Sequence, residues 1–192
     1  MSLCSDSRLD LVLVNPGGRE RTYQQLGGDL TAIEPPLWCR LIAGYALDRG
    51  CSVAILDSEA EGLGPAAVAA KLDELDPRLV VMVVFGHQPS ASTQQMVPAG
   101  EICVAAKALR PDRPILIVGG HVSALPERTL AEEAVDYACK GEGPATVVQL
   151  VQWLKGGAVG MPAQVAGLVW RGQEGKVTPA KRRAPASRHL FS

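Results

Sequence analysis

The sequence predicts an α/β fold, namely a doubly wound, five-stranded parallel sheet in flavodoxin-like (Rossmann-like) order, with a small C-terminal β-hairpin. Five short apolar runs alternate with amphipathic segments of helical length. The runs show almost no polar alternation, which is typical of strands covered by helices on both faces. Glycines directly follow several of the runs; because they lack a Cβ, they indicate that a bulky ligand approaches the backbone at the carboxyl edge of the sheet, with plain tight turns into the following helices as the alternative.

In the first half of the chain, prolines and glycines mark the expected ends of the strands and helices. We expect strands at Leu9–Val14 and Ser52–Leu56. The first ends at the turn signal Asn15-Pro16-Gly17-Gly18, and a polar loop then extends to Glu34. Helices are expected from Pro35-Pro36 to Gly50 and from Gly64-Pro65 to Leu75. The residues expected on the buried face of the first helix are Leu37, Leu41, Ile42, Tyr45 and Ala46.

The second half continues the alternation. Strands are expected at Leu79–Phe85, Ile115–Val118 and Asp136–Cys139. Helices are expected at Gln95–Leu109, Glu127–Ala134 and Pro144–Leu154. A long polar loop, Gly86–Thr93, is expected after the third strand, and Val165–Trp170 with Lys176–Thr178 predicts the hairpin. Right-handed crossovers would then place all five strands in one parallel sheet.

The composition limits both the domain organisation and the partners. We expect one domain over residues 1–155, and a hairpin extension with a cationic, proline-containing linker over 156–192. The formal net charge of −1 argues against nucleic acid as a partner. No apolar run reaches the roughly 18 residues of a membrane span, and no signal peptide pattern is present, so we expect a cytoplasmic protein.

The five cysteines are widely and irregularly spaced, and no two of them form Cys-x-x-Cys. This pattern favours reduced thiols. Cys39, Cys103 and Cys139 stand in apolar surroundings, so we interpret them as buried core residues.

Two nucleotide-related functions fit the sequence poorly. A dinucleotide site requires Gly-x-Gly-x-x-Gly after the first strand, and a P-loop requires a Gly-Lys-Ser/Thr ending; neither pattern is present. A phospho-receiver domain requires paired acids after the first strand and an Asp after the third. Asn15 and the Gly86-His87 segment occupy those places, and only Lys140 matches by position.

A resemblance arises from the order and spacing of several segments. These are Val14-Asn15-Pro16, Glu34-Pro35-Pro36-Leu37, the helix stretch 43–50, Asp57, Glu74-Leu75-Asp76-Pro77, the stretch 118–127 that contains Gly119-Gly120-His121, Val135-Asp136-Tyr137, Lys140-Gly141-Glu142-Gly143 and 166–170. In this arrangement the chain resembles the N-terminal cobalamin-binding domain of cobalamin-dependent radical S-adenosylmethionine enzymes. The resemblance covers about Leu9 to Thr178.

The resemblance implies that cobalamin lies over the carboxyl edge of the sheet, with its nucleotide tail beside the third and fourth strands. The implied cofactor-binding residues are Asn15, Pro16, Gly86, His87, Gln88, Ser90, Ser92, Thr93, Gly119, Gly120, His121, Gly141, Glu142 and Gly143. The glycines would leave room for the tail, and the hydroxyls would face its phosphate or the corrin amides. The sequence lacks Asp-x-His-x-x-Gly, so no protein histidine is expected to ligate cobalt from below.

The resemblance also implies a larger enzyme, a methyltransferase or a cyclase, with a radical-SAM domain C-terminal to this chain. That domain would hold S-adenosylmethionine and a [4Fe–4S] cluster on Cys-x-x-x-Cys-x-x-Cys, which is absent here. We therefore expect the isolated chain to be without catalytic or metal-ligating residues of its own. An alternative remains open: a standalone interaction or sensing domain without cobalamin. His87 is either a loop histidine bonded to backbone or a polar neighbour of the cobalt.

Overall fold

The computed structural model describes residues 8–17, 35–86, 89–156, 162–171 and 177–179. Its strands are β1 (Leu11–Asn15), β2 (Val53–Asp57), β3 (Leu79–Val84), β4 (Ile115–Gly119), β5 (Tyr137–Cys139), β6 (Leu168–Arg171) and β7 (Val177–Pro179). They form one sheet in the order β2-β1-β3-β4-β5-β6-β7. β1 to β5 are parallel, whereas β6 and β7 pair antiparallel with their neighbours.

Helices cover both faces of the sheet. They are α1 (Leu37–Leu47), α2 (Pro65–Leu75), α3 (Pro89–Gln94), α4 (Met96–Leu109), α5 (Gly120–Ala124), α6 (Pro126–Glu132) and α7 (Pro144–Lys155). α2 and α4 pack on one face, and α1 and α7 pack on the other. None of the helices in the described ranges has the length and apolar character needed to cross a bilayer.

Successive residues of the strands contribute in turn to the two core clusters, one on each face of the sheet. Val12 and Met82 contribute to the cluster beneath α2 and α4, whereas Leu13 and Val81 contribute to the cluster beneath α1 and α7. Successive side chains of a strand point to opposite faces, so a strand buried on both sides must be apolar throughout. This is why β3 is buried along its whole length.

The predicted parallel sheet is confirmed in outline, but the sheet contains two more strands than expected. β6 pairs with β5 through Cys139 and Leu168, so the C-terminal hairpin extends the sheet instead of standing apart from it. β5 has only three residues. Pairing with β6 satisfies the backbone groups that this short strand would otherwise leave open at an edge.

Two predicted features differ from the structure. The expected polar loop Gly86–Thr93 is largely replaced by α3, whose Ser- and Thr-rich sequence carries no helical apolar period. On α1 the expected residues Ile42 and Ala46 are buried and Tyr45 is partly buried, whereas Leu37 and Leu41 are 53% and 52% exposed. The buried face of α1 is therefore confirmed in part, and Ala43 takes the place in the core that was expected for Leu41.

Charged residues join several elements at the amino edge of the sheet, where the strands begin. The Arg113 side chain is 2% exposed, and its Nη2 lies 3.2 Å from carboxylate oxygens of both Asp73 and Asp76. Before β1, the buried Asp10 accepts hydrogen bonds from the Ser52 backbone N–H at 2.9 Å and from Lys155 Nζ at 3.0 Å. These contacts tie the ends of α2 and α7 to the starts of the strands.

Candidate functional site

At the opposite, carboxyl edge the strand order reverses between β1 and β3, which is the position where open α/β sheets form a ligand-binding crevice. From β1 the chain crosses to β2 on one side, and β3 then returns to pair with β1 on its other side. The connections that leave β1 and β3 therefore diverge, and open α/β sheets bind ligands in the gap that this creates. The carboxyl ends of β1, β3 and β4 border this gap.

Ser92 of α3 connects the ends of β3 and β4. It is 2% exposed, its hydroxyl donates to the Val84 carbonyl, and it accepts a hydrogen bond from the His121 backbone N–H at 3.0 Å. Thr93, the next residue, is exposed, and its Oγ1 lies 3.0 Å from His121 Nδ1. The sequence prediction placed these three residues in one site, and the structure brings them into contact. Because the Ser92 hydroxyl makes both of these hydrogen bonds within the protein, we interpret Ser92 as a residue that holds Val84 and His121 in position.

The two glycines that follow β4 differ in what surrounds them. A Cβ on Gly119 would stand 2.5 Å from the Val84 carbonyl oxygen, so this glycine allows β4 to approach β3. A Cβ on Gly120 would meet nothing closer than Ser92 Oγ at 3.6 Å, and this residue is exposed. Gly86 resembles Gly119, because a Cβ there would overlap Ala91 of α3. Among these three, Gly120 alone is exposed and could accept a Cβ at ordinary van der Waals distance from its neighbours.

A second glycine pair follows β5. Gly141 and Gly143 have φ angles of +128° and +97°, which side-chain-bearing residues rarely adopt. The Gly141 N–H donates to Ser123 Oγ of α5 at 2.9 Å, so this turn is held against the β4 connection. Glu142, between the glycines, is exposed. The turn thus forms the β5 side of the carboxyl edge.

Asn15 lies at the end of β1 and is hydrogen-bonded to residues at the end of the neighbouring strand β2. Its Nδ2 donates to Asp57 Oδ1 at 2.8 Å, and its carbonyl accepts a hydrogen bond from Ser58 Oγ at 2.6 Å. Pro16 is buried beside it. These contacts shape the β1 wall of the crevice and leave the Asn15 amide with an internal partner.

The structure adds an aromatic pair that the sequence prediction missed. The rings of Trp38 and Phe85 stack with centroids 4.2 Å apart and an interplanar angle of 21°. Trp38 belongs to α1, which follows β1, and Phe85 directly follows β3. The two residues are 47 positions apart in the sequence, and neither belongs to a motif. Only the strand order brings them together.

Burial determines the state of the thiol next to this pair. Cys39 is 2% exposed, and burial together with the charge of Asp57 raises its pKa to about 12. The thiol is therefore protonated at neutral pH and serves as a core residue. Four cysteines, namely Cys39, Cys51, Cys103 and Cys139, are free and buried in the described part of the chain.

Three of the predicted cofactor-binding residues are not described by the structure. His87 and Gln88, and the side chain of Ser90, lie outside the described residues.

These groups fit the periphery of cobalamin. The ligand carries amides and a phosphate, which pair with hydroxyl, imidazole and backbone N–H groups. The exposed backbone at Gly120, the exposed Thr93 and the half-buried His121 provide such groups. The half-buried rings of Trp38 and Phe85 add an apolar surface at the same edge.

Comparisons with known proteins agree with this chemistry. A family model described as B12 binding domain matches residues 24–151, which are 128 of the 192 residues. The chain is also 30% identical over 125 residues to the anaerobic magnesium-protoporphyrin IX monomethyl ester cyclase of Synechocystis sp.. This match covers 63% of this chain and 23% of the cyclase.

Solved structures show the same fold at low identity. TsrM from Kitasatospora setae, a radical S-adenosylmethionine methyltransferase with cobalamin and a [4Fe-4S] cluster bound, matches with a TM-score of 0.71 at 20% identity, over 95% of this chain and 30% of its own. OxsB, a cobalamin-dependent S-adenosylmethionine radical enzyme with aqua-cobalamin and S-adenosylmethionine bound, matches with a TM-score of 0.64 at 17% identity. This match covers 91% of this chain and 22% of OxsB. The chain thus spans less than a third of these relatives.

The family match includes the end of β3, the glycines after β4 and the turn after β5, and it excludes the hairpin. It supports cobalamin as the ligand over an interaction domain without a cofactor. Since the family match covers two thirds of the chain, this protein belongs to the B12 binding domain family, and its cofactor is cobalamin.

Proposed function

We propose that the chain holds cobalamin across the carboxyl edge of its sheet, as the cofactor module of a radical-SAM methyltransferase or cyclase. The observation that carries the location is the exposed, sterically unobstructed backbone of Gly120 beside the hydrogen bond between Ser92 and His121. The nucleotide tail would pass along Gly120, between the ends of β3 and β4. When bound, the corrin supplies the organometallic chemistry, and the protein supplies position.

Each predicted site residue then has a specific part in our proposal. Gly120 gives the tail access to the backbone, and Thr93 and His121 offer hydrogen bonds at the rim. Ser92 holds the His121 backbone in place, and Gly119 and Gly86 allow the close packing that forms the wall. Gly141 to Gly143 would border the β5 side. Asn15 and Pro16 would support the β1 side, and His87, Gln88 and Ser90 stay predictions.

The enzyme context is supported by the relatives. The chain spans 22–30% of TsrM, OxsB and the cyclase, and the first two are radical enzymes by their descriptions. We place a radical-SAM domain C-terminal to this chain, with S-adenosylmethionine and a [4Fe–4S] cluster bound there. The division into a domain over 1–155 and an extension over 156–192 belongs to the same proposal. The free, buried thiols support a cytoplasmic location.

The location can be tested at Gly120. Gly120→Leu would place a large side chain on this exposed backbone, and we expect the dissociation constant for hydroxocobalamin to rise at least about tenfold, which corresponds to about 1.4 kcal/mol. Gly44→Leu is the matched control, because Gly44 is exposed on α1 and a Cβ added to it would have no atom within 4 Å. The control should bind within about twofold of the wild type.

Titration by visible absorbance gives the affinities, and circular dichroism reports the fold. Equal affinity of Gly120→Leu and Gly44→Leu would mean that the tail does not pass along Gly120. Failure of the wild-type chain to bind hydroxocobalamin at all would overturn the proposed cofactor role of the isolated module.

A further inference from the structure

The stacked pair Trp38–Phe85 occupies the point where the two sides of the crevice meet. Trp38 is the second residue of α1, which leaves the β1 side, and Phe85 is the first residue after β3. β1 and β3 are the neighbouring strands between which the connections diverge. The pair therefore bridges the switch point itself, where a ligand is expected to bind in this class of sheet.

The pair is only partly buried. Both rings pack against the core cluster beneath α1 and α7, yet both retain exposure at the edge of the sheet. The Trp38 and Phe85 rings are nearly parallel and in contact. Stacked rings that are anchored from below form a rigid apolar surface, and they lose little conformational entropy when a flat ligand covers them.

The pair is separate from the cleft around Gly120. Ser92 and Gly120 belong to α3 and α5, and α5 packs through Val122 on the cluster beneath α2 and α4. Trp38 and Phe85 pack on the opposite cluster. The carboxyl edge thus has two parts: a polar, open part between β3 and β4, and an aromatic part between β1 and β3.

We infer that Trp38 and Phe85 form the apolar platform on which the corrin macrocycle rests, while the nucleotide tail occupies the polar part. This inference rests on the proposed cobalamin role of the chain. A corrin is a broad, largely apolar ring, and contact with an indole face removes apolar surface of both partners from water. Trp38 is then a positioning residue for the cofactor, and neither residue ligates cobalt.

The chain contains a matched control. Trp153 of α7 is also partly buried and packs on the same core cluster. It lies near Lys155, whose Nζ is 3.0 Å from Asp10 at the amino edge. Trp38→Ala and Trp153→Ala therefore remove the same side chain from the same core, at opposite edges of the sheet.

The experiment measures dissociation constants for hydroxocobalamin and for cobinamide, which keeps the corrin but lacks the nucleotide base and ribose. We expect Trp38→Ala to weaken both ligands by about the same factor, roughly tenfold. Trp153→Ala should leave both constants within about twofold of the wild type. Trp38→Phe keeps a ring and should lose about threefold or less, whereas Trp38→Leu, apolar without a ring, should resemble Trp38→Ala.

The outcomes separate this inference from the proposed function. If the wild type binds neither ligand, the cobalamin role fails. If the wild type binds but Trp38→Ala binds both ligands equally well, the platform is refuted while the cofactor role stands. A loss for hydroxocobalamin without a loss for cobinamide would assign the pair to the nucleotide and overturn the corrin contact. Should Trp38→Ala not fold by circular dichroism, the comparison of Trp38→Phe with Trp38→Leu decides.

Discussion

The two edges of the sheet are built from different chemistry. At the amino edge, guanidinium and carboxylate groups join the end of α2 to the starts of β3 and β4, with Arg113 buried between Asp73 and Asp76. At the carboxyl edge, the contacts of α3 with β3 and α5 run through hydroxyls, backbone groups and one imidazole, Asn15 donates to Asp57 between β1 and β2, and two aromatic rings stack across the switch point.

The difference indicates a division of tasks. Ion pairs with a buried member hold elements in one geometry, because separating them would leave a charge without compensation. Around Gly120, by contrast, the exposed Thr93 hydroxyl and the exposed backbone present hydrogen-bonding groups that carry no charge. Such an edge suits a ligand that is large and mostly uncharged, whose amides need weak, numerous partners. The amino edge stabilises the fold, and the carboxyl edge is available for binding.

The largest expected effect concerns the amino edge. The double variant Asp73→Asn/Asp76→Asn removes both carboxylates from the buried Arg113, and we expect the free energy of unfolding to fall by about 3 kcal/mol. Asparagine tolerates the left-handed backbone of Asp76, where φ is +39°, so the backbone should persist. Urea denaturation gives the stability.

The control for this variant is Asp112→Asn, which removes an exposed charge at the same edge. Affinity for hydroxocobalamin should stay within about twofold in the double variant, since the change lies at the far edge. A large loss of affinity without a loss of stability would reverse the assignment of tasks to the two edges.

A smaller effect is expected from the adjacent glycines after β4. Gly119→Ala places a methyl group against the Val84 carbonyl, and we expect the free energy of unfolding to fall by about 2 kcal/mol. Gly120→Ala adds the same group at ordinary van der Waals distance from Ser92 and should change stability by less than about 0.5 kcal/mol. Paired urea curves test this. Similar losses for both would show that Gly120 also serves packing.

The smallest expected effect tests the core that both edges share. Burial, with the charges of Glu133 and Asp136, raises the pKa of Cys103 from 9.0 to about 12. The pKa of Cys103 is higher in the folded than in the unfolded state, so burial of the protonated thiol favours the folded state. This contribution to stability is complete below pH 9 and is lost as the pH rises toward 12. From pH 8 to pH 10 the wild type should lose about 1 kcal/mol more than Cys103→Ala. Parallel losses would place the thiol in solvent contact.

The sequence predicted the parts of the fold that depend on local pattern. The apolar runs located β1 to β5, and the prolines and glycines located the ends of α1, α2 and α7. α3 was missed because its polar residues follow no helical period, and its place depends on the contact of Ser92 with β3 and β4. On α1, Ile42 and Ala46 were assigned correctly to the buried face, whereas Leu37 and Leu41 were not, because they fit the helical period as well as the smaller, buried Ala43 does.

The candidate site was predictable only as a set of positions. Glycine after a strand signals a close approach, but the sequence does not say whether the approaching group is a ligand or the chain itself. Gly120 and Gly119 are neighbours, and the structure leaves the backbone of one exposed and packs the other against β3. Trp38 and Phe85 left no local signal, because their contact depends on β1 and β3 being adjacent in the sheet.

The direction of β7 has a consequence for how a larger protein could be joined to this module. β6 runs against β5, and β7 runs against β6, so β7 points the same way as β1 to β5. The last described residue of β7, Pro179, therefore lies at the same edge of the sheet as Gly120. If β6 were the last strand, the sheet would end at the amino edge, where Arg113 pairs with Asp73 and Asp76. Under our proposal, a domain joined after β7 would start from the edge at which cobalamin binds, without a crossover over the sheet.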